Sequence, residues 1–127
     1  MLLGLGLTVG ILGIIGAVVW SKFTATLSIH RARVNRGSQV ISSRFGQIEF
    51  ATVGHGAPVL IVHGAGGGFD QAIAAAGQLN TLGYQVIAPS RFGYLRSTSP
   101  DDPSSGKQAD AFAFLLDELQ IQSVPVV

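Results

Sequence analysis

Val59-Leu60-Ile61-Val62-His63-Gly64-Ala65-Gly66-Gly67-Gly68 is the stretch on which the fold turns. Its first four residues are all apolar and three are β-branched. A half-exposed strand would alternate, so this run predicts a strand buried on both faces. It stops at His63-Gly64 and a glycine series. That places exposed backbone N–H groups at the C-terminal edge of a sheet, where open α/β sheets bind their ligands. Glycine lets the backbone approach a bound group closely. Two chemistries use such a loop: binding of a phosphate anion, and stabilisation of an oxyanion during acyl transfer.

Working outward, Val40–Arg44 and Ile48–Val53 flank Phe45-Gly46 and are rich in β-branched and aromatic residues, which predicts a hairpin. Gly54-His55-Gly56-Ala57-Pro58 is turn chemistry. Downstream, Asp70 is a candidate cap for a helix reaching Leu82, with Gly83 as its stop. Tyr84–Ala88 predicts a second buried strand, closed by Pro89. After a polar loop, Ser105-x-x-Gln108 has the form of a capping box. It introduces an apolar stripe of Ala109, Phe112, Ala113, Leu116 and Leu119 at helical spacing. Ser123–Val127 starts a further strand. Hairpin, strand, helix, strand, helix, strand describes an α/β fold: parallel strands with right-handed crossover helices. An apolar strand at Val126-Val127 without turn or cap leads us to expect a domain that continues past it.

The phosphate reading meets obstacles. A dinucleotide fingerprint needs glycine or alanine where Phe69 stands, and Ala88-Pro89-Ser90-Arg91 offers no acid for a ribose. Arg91 keeps a 2′-phosphate in play. Ser104-Ser105-Gly106-Lys107-Gln108 superficially suggests a P-loop, but Asp101 replaces its first glycine and Gln108 its magnesium-binding hydroxyl.

The stretch from Gln47 to Val127 resembles the N-terminal part of an α/β-hydrolase. The resemblance is carried by Gly54–Pro58, the strand and loop Val59–Gly68, and Gly83–Pro89. It continues through Arg91-Phe92-Gly93-Tyr94-Leu95-Arg96-Ser97 and the final Val124–Val127. It implies hydrolysis of an ester, amide or related bond in a small-molecule substrate by Ser-His-Asp chemistry, without metal or organic cofactor. It also implies that the residue after His-Gly, Ala65, donates one oxyanion-hole N–H, with His63, Gly64 and Gly66 shaping that loop. The family's acid-x-x-Gly loop is altered, with Ser90 in place of the acid. No G-x-S-x-G occurs, so nucleophile, acid and base are expected after Val127, the elbow's first glycine within about three residues of it. Residues 39–127 alone are then expected to be inactive. A membrane-tethered nucleotide-binding module and a non-catalytic adaptor remain the alternatives.

The segment before this domain differs in kind. Met1–Trp20 contains no charged residue and five glycines. About 20 apolar residues suffice to cross a bilayer as a helix. Glycines at this density penalise a helix in water but are common in lipid. We therefore expect a single transmembrane helix over residues 1–20, contacting lipid through Leu2–Trp20. Trp20 and Lys22 would lie at its exit, and Gly6-x-x-x-Gly10 would offer a homodimer face. A cleaved signal peptide is the competing expectation, although nothing basic precedes the apolar run. Residues 21–38 read as a basic juxtamembrane linker. The positive-inside bias puts this linker and the α/β domain after it in the cytoplasm.

Charge is segregated accordingly. The chain has 127 residues, eight Lys and Arg against seven Asp and Glu, and no cysteine. Lys22, Arg31, Arg33, Arg36 and Arg44 precede position 47, and all seven acids come after it. A nucleic-acid arm would interleave aromatics with those arginines, and none occurs between Phe23 and Phe45, so nucleic acid is not an expected partner. The absence of cysteine excludes a disulfide framework, a zinc finger and a cysteine nucleophile. A mean hydropathy of +0.44 excludes a disordered chain. The remaining polar residues read blandly. His55 is a solvated turn residue and Asp101-Asp102 an acidic loop tip, while Ser97, Ser99, Ser104 and Ser105 lack a base to activate them. Phe112 and Phe114 are core candidates.

Overall fold

The structure is a computed structural model that describes residues 2–127; Met1 and the side chains at 2–8, 31 and 33–35 lie outside the described residues. The chain divides into two compact units after Arg36.

The first unit is one helix, α1, Leu2–Asn35. Its 34 residues span about 51 Å at 1.5 Å per residue. It does not end at Trp20 as the sequence suggested, so most of the basic linker is helical. The reason is local. Ser21–Asn35 contains no proline or glycine, and nothing in it breaks the i to i−4 ladder. Within it, Val9–His30 is long and apolar enough to cross a membrane, and a signal sequence would have the same character. Large apolar side chains from Val9 to Ile29 are exposed on every face, and the Trp20 and Phe23 rings lie 6.3 Å apart. The Gly6 half of the expected dimer face lies outside the described side chains.

The second unit holds β1 (Gln39–Ser43), β2 (Gly46–Val53), β3 (Ala57–Leu60), α2 (Phe69–Ala76), β4 (Tyr84–Pro89) and α3 (Ser105–Glu118). The strands form one mixed sheet in the order β1-β2-β4-β3. β1 and β2 make the expected hairpin, β2 pairs antiparallel with β4, and β3 pairs parallel with β4. The final residues continue the sheet on the far side of β3. Val127 N–H donates to the Leu60 carbonyl and Val62 N–H to the Val127 carbonyl, both at 2.9 Å. This is a single parallel bridge at Val126 rather than a full strand.

Alternation along the strands sorts side chains between two helical layers. Ile48, Phe50, Leu60 and Ile87 cluster with Ala111, Phe112 and Leu115 of α3. Burying a side chain of the size of Phe50 or Leu115 contributes about 1.5–3 kcal/mol. Glu49, Ala51, Val86 and Ala88 lie in alternation with these, and α2 packs on β2 and β4. The α3 stripe is thus rotated from the expected one: Ala109 and Ala113 are exposed, while Ala111 and Leu115 are buried. Its cap is also one residue earlier, the Ser104 hydroxyl accepting the Lys107 N–H. Helix α2 is shorter than expected and stops before Gly77, which takes φ +55°. Thus Gly77 rather than Gly83 supplies the left-handed stop.

Candidate active site

Beyond β3 the backbone stays extended to Val62, with Ile61 N–H donating to the Ile87 carbonyl at 2.9 Å. His63 is next and is only 4% exposed. Its Nε2 accepts the Arg91 N–H at 2.9 Å, and its Nδ1 lies 2.7 Å from the Gly64 carbonyl. An acceptor at Nε2 requires the proton on Nδ1, so the ring is neutral with both nitrogens engaged. Burial holds its pKa below the ordinary histidine value, and the Arg91 charge adds to this. The Gly64 carbonyl and Asp70 oppose them. The Tyr94 ring meets the imidazole edge-on at 4.8 Å. His63 is therefore a fixed post at the loop entrance and has no free nitrogen to serve as a base.

The loop exit is fixed as firmly. Gly68 is buried beneath the loop that comes after β4: a Cβ there would lie 2.4 Å from Leu95 Cδ1 and 2.8 Å from Ser90 Oγ. The Gly68 N–H donates to Asp70 Oδ1 at 2.9 Å, and the Phe69 N–H donates to Ser90 Oγ at 3.0 Å. Gly68 is thus the cap residue, and Asp70 sits in the first turn, reaching back to it. These bonds occupy the Gly68 and Phe69 N–H groups, and the Asp70 charge stands beside them. A phosphate would meet the Asp70 carboxylate and two N–H groups already bonded at this helix N-terminus, which counts against the nucleotide reading.

Between the two ends, Gly64, Ala65 and Gly66 are exposed. The Ala65 carbonyl accepts the Tyr94 hydroxyl at 3.3 Å. Among the described residues, the Ala65 N–H has no acceptor. The Gly64, Gly66 and Gly67 N–H groups likewise have no acceptor among the described residues, so the loop presents a row of free backbone donors, Ala65 among them, between two fixed ends.

A buried polar cluster behind the loop was not foreseen from the sequence. Glu49 of β2 is 0% exposed. Its Oε1 receives Arg96 Nε and the Ser38 hydroxyl, both at 2.7 Å. Its Oε2 receives the Arg96 N–H at 3.0 Å and the Ser90 hydroxyl at 3.3 Å. The Ser97 hydroxyl accepts the Glu49 N–H at 3.0 Å and donates to the Ser90 carbonyl at 2.8 Å. A left-handed backbone at Leu95, φ +50°, turns the loop where the Arg96 N–H meets the carboxylate. The available signal was an acid inside Ile48-Glu49-Phe50-Ala51, where a doubly covered strand has no water to solvate it. Ser97 is held by these bonds, and neither it nor Ser90 contacts a histidine among the described residues. His55, Asp101 and Asp102 are exposed. Among the described residues, no cluster of three or more His, Cys, Asp or Glu is arranged to hold a metal.

Residues 57–127 match the model of the alpha/beta hydrolase fold family. The chain is 31% identical over 94 residues to the uncharacterised hydrolase YcgS of Bacillus subtilis strain 168, covering 74% of this chain and 33% of the relative. An alpha/beta hydrolase fold protein of Nakamurella multipartita superposes with TM-score 0.66 at 34% identity, over 70% of this chain and 31% of that one. The N-acyl homoserine lactonase AidH, solved with N-butanoyl homoserine, superposes with TM-score 0.59 at 29% identity, over 70% and 34%. The chain thus spans about a third of the length of the relatives it matches.

Proposed function

This chain belongs to the α/β-hydrolase fold family, and on that premise we propose that it forms the oxyanion-loop portion of a serine hydrolase acting on an ester, amide or lactone-type bond. One observation carries the reading: Ala65 is exposed and its N–H has no acceptor among the described residues, in a loop fixed at both ends by His63 and Gly68. A donor held ready where negative charge develops lowers the barrier without reorganising during the reaction. Removing one such donor costs about 10²–10³ in rate.

The register of the last residues supports the rest of the proposal. Val127 lies between Leu60 and Val62 in a parallel pairing. Residues continuing past it in the same register come level with His63–Ala65. A nucleophile elbow there would bring its serine to the oxyanion donor, with an acid and then a histidine later in the chain. No cofactor is required by this chemistry. We also read α1 as an uncleaved anchor with the second unit in the cytoplasm.

The test is to read the coding sequence past Val127 and to assay the longest product. We expect G-x-S-x-G within about three residues of Val127, covalent labelling of its serine by a fluorophosphonate, and nitrophenyl ester hydrolysis. The 127-residue chain alone should do neither. A continuation without the elbow, or a product that is neither labelled nor active, overturns the reading.

A further inference from the structure

We infer that Glu49 supplies, from the neighbouring strand, the carboxylate that the family's loop carries at the position of Ser90, and that it acts through Ser90 to position the oxyanion loop. The inference rests on the proposed hydrolase function for its catalytic meaning, but its structural half stands alone. Ser90 is 1% exposed, and its N–H donates to the Glu49 carbonyl at 2.8 Å, so the two side chains leave the sheet together. Ser90 Oγ lies 3.3 Å from Glu49 Oε2 on one side and accepts the Phe69 N–H at 3.0 Å on the other. A continuous relay therefore runs from carboxylate to hydroxyl to the first N–H of α2. Phe69 immediately succeeds Gly68, where the oxyanion loop ends. The same carboxylate fixes the loop after β4 through the Arg96 N–H and guanidinium.

One buried negative charge thus serves both loops, and it is ion-paired to the guanidinium of Arg96. An aspartate at 90 would reach toward the same space that Glu49 Oε2 occupies. Two carboxylates there would repel in a poorly solvated place, while having none would remove the ion pair to Arg96 Nε and the acceptor of the Ser90 hydroxyl. Glu49 is accordingly a positioning residue whose side chain stays clear of the exposed face of the loop.

The exchange of the charge tests this. The whole chain in detergent micelles is compared with Glu49→Gln, Ser90→Asp and the double variant. The readouts are the melting temperature and hydrogen exchange at the Phe69 amide. Each single variant should raise the Phe69 exchange rate by about tenfold or more and lower the melting temperature. The double variant should recover most of both losses, because contacting residues are strongly non-additive. In the longer hydrolase, the same cycle should appear in kcat, with KM changing less, and the double variant should regain rate. A double variant as damaged as the two singles combined, or a Ser90→Asp variant indistinguishable from the parent, overturns the inference. If the parent enzyme hydrolyses nothing, the proposed function fails while the exchange cycle still decides the charge relocation.

Discussion

The loop after β3 leaves its middle open, whereas the loop after β4 is bonded along its length. From His63 to Gly68 the protein grips the ends and leaves the N–H groups from Gly64 to Gly67, that of Ala65 included, without a partner among the described residues. From Arg91 to Ser97 the backbone is tied by Tyr94 N–H to the Arg91 carbonyl and by Ser97 N–H to the Tyr94 carbonyl. Glu49 holds Arg96 from beneath. The difference teaches that an open donor needs a closed neighbour. Backbone N–H groups are almost always satisfied in folded proteins. A loop can keep such groups in reserve only if its geometry is imposed from outside, and here the second loop imposes it through Arg91, Tyr94 and Leu95.

The largest disturbance of this arrangement should come from Gly68→Ala, where the loops are closest. The added methyl would meet Leu95 Cδ1 at 2.4 Å and the buried Ser90 Oγ at 2.8 Å. Leu95 has room to swing aside, but Ser90 is tied into the relay. We expect a loss of about 1–3 kcal/mol, in the range of overpacked sites, measured by denaturant unfolding. An unchanged midpoint would mean that the loops are not wedged together.

The next effect concerns the entrance and depends on pH. The folded His63 pKa is lowered, chiefly by burial. Below about pH 6.5 the unfolded histidine binds a proton that the folded one resists. The unfolded state then holds more protons, so stability falls as pH drops from about 6.5 toward the lowered folded value, and is complete above that window. Melting curves across this range should show that loss in the parent and a flatter profile in His63→Gln. Equal pH slopes would show that the imidazole is not held neutral.

The smallest effect should come from Tyr94→Phe, which removes the 3.3 Å bond to the Ala65 carbonyl at the open middle of the loop. An exposed bond of this kind is worth little, so we expect a change within about 0.5 kcal/mol. A loss several times larger would show that the middle of the loop is held as firmly as its ends.

Much of this was legible in the chain. Val59–Val62 with His63-Gly64 after it marks the buried strand and its loop because apolar run and glycines are both local signals. The hairpin, the second parallel strand and the order of elements emerge in the same way. What could not be read depends on contacts between distant residues. Glu49 and Arg96 are 47 positions apart, and Ser90 and Phe69 are 21 apart. No spacing rule links them. The α2 boundary failed for a related reason: Gln78–Leu82 has helical composition, yet Gly77 at φ +55° redirects the chain into turns toward β4. The length of α1 was missed because the change from apolar to basic side chains alters what surrounds a helix without ending it.

The strand order also bears on how the domain assembles. β2 and β3 are consecutive in the chain, joined only through Gly54-His55-Gly56, yet they never touch as neighbours, because β4 lies between them. The β1–β2 hairpin closes at once around Arg44-Phe45. The gap beside it must then stay open until a strand synthesised some thirty residues later enters it, antiparallel to one wall and parallel to the other. The entropy of closing such loops comes due before any contact repays it, so topologies of this kind nucleate slowly. A direct β2–β3 hairpin is the obvious competitor in the meantime. Gly54 and Gly56 at φ +82° and +116° take the connection past the start of β4, where a Cβ at either would meet the Tyr84 or Gly83 carbonyl, so a side chain at either glycine weighs against the native gap and toward that competitor.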